Sequence, residues 1–589
     1  MLGPIFAREW LTLPRRPRHY LARSLYLGLM WILALTAWQA TVGWEQPATL
    51  GDTARFGLLL FQILIYVQLL LLLFFATLSA ASAVTQEKDR RTFVLLLLTD
   101  MRNPEIVLGK LAGSLLQILV FLTGSVPLLF LVALLGGVAP FQVLHAALVL
   151  AMTALAAGSL GSLVALWRDK TFQALALAVL FLVLYFCVVH GLAFVPAEGV
   201  ARWQTWLQPF LALQEVVEPP DDAAAFPAAY GFGLAMLAFS VALNGLAIWK
   251  LRVWNPSGEP IQQRERPEEE VIDRARAHAA PGKLRHVWAN PVLWREIGTR
   301  AYGRRVFLVK LAYFVIAGLA IYYALTMPPG DWRAATILVP VGILSLLLIS
   351  AQAVTAVTTE RDIGSLDLLL VTDLTPNEFI FGKLLGVLYN IKEYILPSLI
   401  IAAIFAWRGM LASPPRLNPE LLAAKNLEAL VFVALGTLIL MGFTMILGVH
   451  VALGTDKSRL AIGNTLGTVF FLSVGTLICI YLILINGRFE YQWLSFSGFI
   501  FAGVLGLWWV LSGQRPSPAL TMAAWLCPFA VFYSVTNILI GKPALRESAD
   551  PLLPFLVTGG SFSFAIAAMM IPLLSEFDVA LGRTSGGGE

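Results

Sequence analysis

Residues 56–84 carry no charged side chain. A helix needs roughly 20 apolar residues to cross about 30 Å of hydrocarbon, so this run alone is long enough to span a bilayer. It is one of many. Of 589 residues, 58% are hydrophobic and 13% charged, whereas soluble domains run about half apolar and about a quarter charged. The sequence therefore implies an all-α polytopic membrane protein. A basic N-terminal stretch (Arg8, Arg15, Arg16, Arg18) leads into an apolar run with no small-residue cleavage site behind it. Residues 23–41 are expected to be a retained span rather than a removed signal peptide.

Six spans are expected in the first half, near 23–41, 56–84, 105–136, 140–166, 171–192 and 226–251. With the N-terminus on the cytoplasmic side, Arg8, Arg15, Arg16, Arg18, Arg23, Lys88, Arg90, Arg91, Arg102, Lys110, Arg168 and Lys170 all fall inside, and only Arg55 and Arg202 fall outside. That bias sets the orientation by the positive-inside rule, and the outer loop at 193–225 is acidic. The net charge of +5 sits at helix ends, which fits a membrane surface and argues against nucleic acid. Cys187, Cys479 and Cys527 are far apart in apolar segments, with no CxxC pair, so no disulfide framework is implied.

Residues 254–289 are polar and densely charged, and read as a cytoplasmic linker between a first module (1–253) and a second (290–589). The second module shows spans near 305–326, 333–358, 378–407, 427–453 and 459–486, then three apolar stretches near 495–512, 519–541 and 552–575. The expected total is 12 to 14 spans.

The two halves repeat one another. Gly3-Pro-Ile-Phe-Ala-Arg-Glu9 answers Asn290-Pro-Val-Leu-Trp-Arg-Glu296 at an offset of 287. Residues 86–111 answer 359–384 at an offset of 273, placing Glu87 on Glu360, Asp100 on Asp373, and Gly109-Lys110-Leu111 on Gly382-Lys383-Leu384. Asp169-Lys170-Thr171 matches Asp456-Lys457-Ser458 at 287, and the Trp-Leu-x-Pro-Phe segments at 206–210 and 525–529 match at 319. Each half starts on the cytoplasmic side, so the repeats are parallel, related by an axis along the membrane normal. The growing offset leaves room for an added helix near 495–512.

The segment between the second and third spans concentrates the chemistry. A charged cluster ends a span: Glu87, Asp89, Arg90 and Arg91, or Glu360, Arg361 and Asp362. A short apolar stretch closed by Thr-Asp (Asp100, Asp373) comes next, and then a turn. There Asn103 or Thr375 can cap the next helix, Pro104 or Pro376 fits its first turn, and Glu105 or Glu378 suits its positive end. The pattern suits an amphipathic helix lying on the inner surface with its charges, Glu87 among them, facing outward. The plainer alternative is an interfacial loop with anchoring charges.

This pattern, E-x-D/R…LLL-x-T-D…P-x-E…GKL behind an upstream NPVLWRE, resembles the ABC type-2 transporter permeases. The resemblance is strongest over 80–116 and 353–389. It implies six spans per module, a coupling helix between the second and third spans that docks on a separate ATP-binding subunit, and a re-entrant or extracellular helical element between the fifth and sixth, where the WLxPF segments fall. It implies two fused permease modules in one chain, able to supply a whole transmembrane unit. ATP and Mg would be bound by the partner ATPase, in two copies, with no cofactor or metal in this chain. Glu87, Asp89, Arg90, Arg91, Asp100, Glu360, Arg361, Asp362 and Asp373 are the expected coupling residues. Two features depart from the family pattern: glycine is common where Arg91 and Thr92 stand, and only the second copy has it (Gly364); the stretch near 495–512 has no counterpart in the first half.

No G-x-x-x-x-G-K-[S/T] loop occurs, so the chain is not expected to be an enzyme. Lys110 and Lys383 are each followed by Leu at the start of membrane helices and are expected to snorkel to the interface. His145, His190 and His450 are expected to be buried and hydrogen-bonded, and Gly158, Gly161, Gly442, Gly448 and Gly454 to allow close helix packing. Trp203 and Trp206 suit an outer aromatic belt or a lateral gate. Sparse charge within the spans favours export of a hydrophobic or amphiphilic substrate across the plasma (inner) membrane. An ion-coupled secondary transporter, a membrane enzyme and an assembly factor are the alternatives. The first two would need paired intramembrane carboxylates or a clustered metal set.

Overall fold

In the hydrocarbon core of a bilayer every backbone N–H and C=O must be satisfied within the protein, which leaves an apolar chain like this one helices to build with. The computed structural model describes residues 3–12, 17–41, 49–89, 92–168, 171–192, 199–219, 226–255, 287–298, 306–326, 328, 335–363, 374–409, 411, 419–455, 458–486, 493–512, 517–540 and 551–575. Every regular element among them is a helix. The linker, at 256–286, lies outside the described residues.

The first half holds α1 (Gly3–Thr12), α2 (Pro17–Thr41), α3 (Leu50–Asp89), α4 (Phe93–Leu98), α5 (Asn103–Ala133), α6 (Pro140–Trp167), α7 (Thr171–Gly191), α8 (Val200–Leu207), α9 (Pro209–Val217) and α10 (Ala228–Trp254). The second half holds α11 (Pro291–Gly298), α12 (Val306–Thr326), α13 (Ala335–Ile363), α14 (Pro376–Trp407), α15 (Pro419–Gly454), α16 (Ser458–Asn486), α17 (Trp493–Ser512), α18 (Pro518–Ile540) and α19 (Leu552–Ser575). Among the described residues, twelve helices are long and apolar enough to cross a membrane. Two more, α2 with 25 residues and α17 with 20, have the length of a span.

The sequence repeat is a repeat of contacts. α1 packs on α5 as α11 packs on α14, α3 on α6 as α13 on α15, and α6 on α10 as α15 on α19. The detail extends to single atoms. A Cβ on Gly161 would collide with the carbonyl oxygen of Thr77, and one on Gly448 would lie 3.1 Å from the carbonyl oxygen of Ser350 and 2.7 Å from Ala353 Cβ. Thr77 and Ser350 are 273 apart, like the loops beyond them. Small residues here let two backbones touch, which is how helices gain packing where no hydrophobic force drives them together. Gly158 plays the same part against Leu115 Cδ2 at 2.8 Å, whereas Gly442 makes only an ordinary contact at 3.7 Å. Likewise Tyr26 pairs with Phe121 and Tyr313 with Tyr394, both at 5.0 Å between ring centroids.

The halves join through their fifth spans. α7 packs on α12 and α13, and α16 packs back on α2. Phe74 of α3 stacks on Phe470 of α16 with centroids 3.7 Å apart. One continuous apolar core runs through both halves, from Phe74 and Ala174 to Tyr313 and Met569.

The repeat ends at the fifth span. Trp206-Leu-Gln-Pro-Phe210 breaks the chain into two short helices, because Pro209 opens α9 where its missing N–H costs nothing. The matching Pro528 lies inside an unbroken α18. A re-entrant element is expected in both halves, and only the first half has the helix pair. The added helix expected near 495–512 is α17, which packs on α2, α16 and α18.

Candidate functional site: a charged clasp at the inner end

α1, α4 and α11 lie at one end of the bundle, the near end, while α8 and α9 lie at the far end, one span away. At the near end α3 finishes, residues 90–91 intervene, and α4 forms a six-residue helix before α5 begins. Phe93 and Leu97 are buried against the bundle, while Leu95 and Leu98 are 61% and 66% exposed. Asp100 is exposed beside them. The segment is thus amphipathic as expected, with apolar side chains on its outer face as well.

Glu87 does not face outward. Its carboxylate pairs with Lys110 Nζ at 2.7 Å and accepts a hydrogen bond from the Thr92 hydroxyl. The free-energy reason is plain: at this depth a bare carboxylate or ammonium is costly, and each relieves the other. The second half repeats the pair between the matching residues, Glu360 and Lys383, at 2.6 Å. Lys383 also reaches Glu296 of α11 at 2.5 Å, and Arg295 pairs with Glu360. Lys383 and Glu296 are 1% and 2% exposed at the side chain. The snorkelling expected of both lysines is therefore corrected: they turn into the bundle because carboxylates await them there.

The halves hold the same four charges differently. Arg8 bonds Glu9 at 2.9 Å with 67% of its side chain exposed, whereas its counterpart Arg295 is 31% exposed and bridges to Glu360. Arg8 is held more strongly protonated than a free guanidinium, chiefly by that bond to Glu9. In both halves a glycine on the third span admits the α1-type helix: a Cβ on Gly113 would lie 3.1 Å from Glu9 Cγ, and one on Gly386 would lie 2.6 Å from Glu296 Cβ.

The next residue makes a second connection. Lys88 donates to the carbonyl oxygens of Leu166 and Arg168, each at 2.8 Å, at the C-terminal end of α6. Arg361, its counterpart, donates to the carbonyls of Ala452 and Thr455 at the end of α15. Lys88 is absent from the coupling residues expected from sequence, although its offset to Arg361 is visible there.

The turn into the third span is capped unequally. Thr375 and Glu378 form a capping box, with Glu378 Oε2 accepting from the Thr375 N–H at 3.0 Å. In the first half the cap is Arg102, whose N–H donates to Glu105 Oε2 at 3.1 Å. Asn103, expected as the cap, instead donates to the Ile248 carbonyl and accepts from Arg252, tying α5 to α10.

These features match a known family in sequence. Residues 51–218 match the model of the ABC-2 family transporter proteins. The chain carries an ABC-2 family transporter domain. The match runs from α3 through α9 and includes the Glu87–Lys110 pair and α4. Curated proteins give no match. The ABC-2 domain is a membrane component of transport, not itself catalytic, so the chain is an ABC transporter permease and a multi-pass membrane protein.

Of the expected coupling residues, Arg90, Arg91 and Asp373 lie outside the described residues, as do the side chains of Asp89 and Asp362 and the whole of 364–373. Among the described residues, no group of three or more His, Cys, Asp or Glu is placed to hold a metal ion. His450 is half-buried and hydrogen-bonded to the Leu511 carbonyl at 3.2 Å, as expected of it. His145 sits edge-on to Tyr230, and His190 edge-on to Tyr323. Trp206 covers Gly231, and Trp203 is 60% exposed beside it.

Proposed function

We propose that this ABC-2 permease is a complete transmembrane unit of two fused modules, working as an exporter with two copies of a separate ATPase subunit. The second module is inferred from the repeated contacts. ATP and Mg belong to the partner. Segments 86–100 and 359–373 are the coupling elements, and the cargo is hydrophobic or amphiphilic, in keeping with spans that carry few charges.

One observation carries the reading. At the near end α4 offers Leu95 and Leu98 outward while its other face, Phe93 and Leu97, is anchored on the bundle. A short helix pinned beneath and apolar above suits a groove on a partner protein. The clasp beneath it, Glu87 on Lys110, joins that helix to the third span.

The test is an affinity pull-down in mild detergent with co-purified ATPase activity as readout. Vanadate-sensitive ATPase retained with the chain supports the reading. A well-folded preparation without any ATPase partner shifts the balance to an ion-coupled transporter or an assembly factor.

A further inference from the structure

We propose that Lys88 and Arg361 are positioning residues that pass displacement of the coupling segments to the interface between the halves. The proposal rests on the reading of 86–100 and 359–373 as coupling elements, and it goes beyond docking to say how movement leaves them.

Lys88 and Arg361 stand at the last turn of the second spans, at the start of those segments. Each sends two hydrogen bonds across to a helix end rather than along its own helix. The targets are carbonyls of α6 at residues 166 and 168, and of α15 at residues 452 and 455. The last carbonyls of a helix lack partners within it and carry the negative end of its dipole, so a cation there is both hydrogen-bonded and electrostatically held. The side-chain chemistry differs between the halves, ammonium in one and guanidinium in the other, yet the pattern of two bonds to the end of the fourth span is the same.

Both helix ends lead straight into the fifth spans, and that gives the contact its reach. α7 starts at Thr171, directly after the α6 end, and α16 starts at Ser458, directly after the α15 end. A shift of the α6 end therefore moves the start of α7 with it. α7 is the helix that packs on α12 and α13 of the other half, and α16 the one that packs on α2 and carries Phe470 against Phe74. The route from segment to interface has three steps in each half: cation, helix end, fifth span. A mere anchor would hold the segment in place without linking it to the interface.

The experiment uses the full chain with its co-purified ATPase. Native cysteines are replaced by alanine, and spin labels are placed by Trp203→Cys and Trp407→Cys, exposed residues at the far end of the first and second halves. The inter-label distance is measured with and without vanadate trapping. In the otherwise unsubstituted complex, trapping shifts the distance. In Lys88→Gln/Arg361→Gln the shift falls about fivefold or more, a common size for coupling between sites, while ATPase still co-purifies and turns over. The swap Lys88→Arg/Arg361→Lys keeps the charge and both donors, and retains the shift. An undiminished shift in the Gln variant overturns the proposal. So does loss of the shift in the swap, or loss of ATPase binding in the Gln variant, which would make these residues part of the docking surface. Absence of any vanadate-sensitive ATPase with the unsubstituted chain overturns the underlying reading instead.

Discussion

Lys383 Nζ lies between two carboxylates, 2.5 Å from Glu296 and 2.6 Å from Glu360, with 1% of its side chain exposed. Its counterpart Lys110 reaches Glu87 at 2.7 Å and is 10% exposed. Lys383→Met would strand two buried carboxylates and is expected to cost about 3–5 kcal/mol. Lys110→Met leaves one carboxylate near the surface, at about 1–3 kcal/mol. Thermal unfolding of the two purified variants, monitored by size exclusion, checks the order. Equal losses would contradict the difference between the two clasps.

Leu95→Asp/Leu98→Asp changes only exposed side chains of α4. The fold is expected to be unaffected and ATPase co-purification to drop about tenfold, the effect of roughly 1.4 kcal/mol at an interface. Retention of the partner at full yield would remove α4 from the docking surface. Phe93→Asp, by contrast, is expected to destabilise the protein itself, because that ring is 3% exposed.

Much of the architecture is legible in the sequence. Length and hydropathy fix spans because the bilayer has a set thickness. The offsets of 273 and 287 are readable because matched loops keep their lengths. The inward turn of Glu87 is not legible, since a charge at a span end reads as solvated until its partner is found 23 residues on, across a turn of unknown geometry. The different fates of Pro209 and Pro528 are hidden for a related reason. A proline opens a helix or sits within one according to its neighbours in space, and the five matching positions hold no information about those. Asn103 is a similar case, drawn from its expected cap by Ile248 and Arg252, 145 and 149 residues away.

Gly448→Ala would place a methyl 2.7 Å from Ala353 Cβ, an overpacking expected to cost about 1–3 kcal/mol. Gly436, on the same helix α15, meets nothing within 4 Å. There alanine is expected to stabilise, by about 1 kcal/mol at most. The difference in unfolding temperature between the two variants is the measurement, and a destabilised Gly436→Ala alone would reverse the assignment.

Orientation has its own check. In a background without native cysteines, Trp203→Cys at the far end is expected to react with a membrane-impermeant maleimide on intact cells. Asp100→Cys at the near end is expected to react only after permeabilisation. The opposite pattern would invert the topology derived from the positive-inside bias.

The short α8 and α9 have a consequence for shape. With 8 and 9 residues they reach about 12–14 Å each, at about 1.5 Å per residue. The 23-residue α18 in the matching place reaches about 35 Å. A path along the pseudo-twofold axis is thus flanked by twin walls at the near end and by a low sill facing a tall palisade at the far end. Cargo leaving there would find its shallower exit on the first half's flank, sideways into lipid rather than straight ahead.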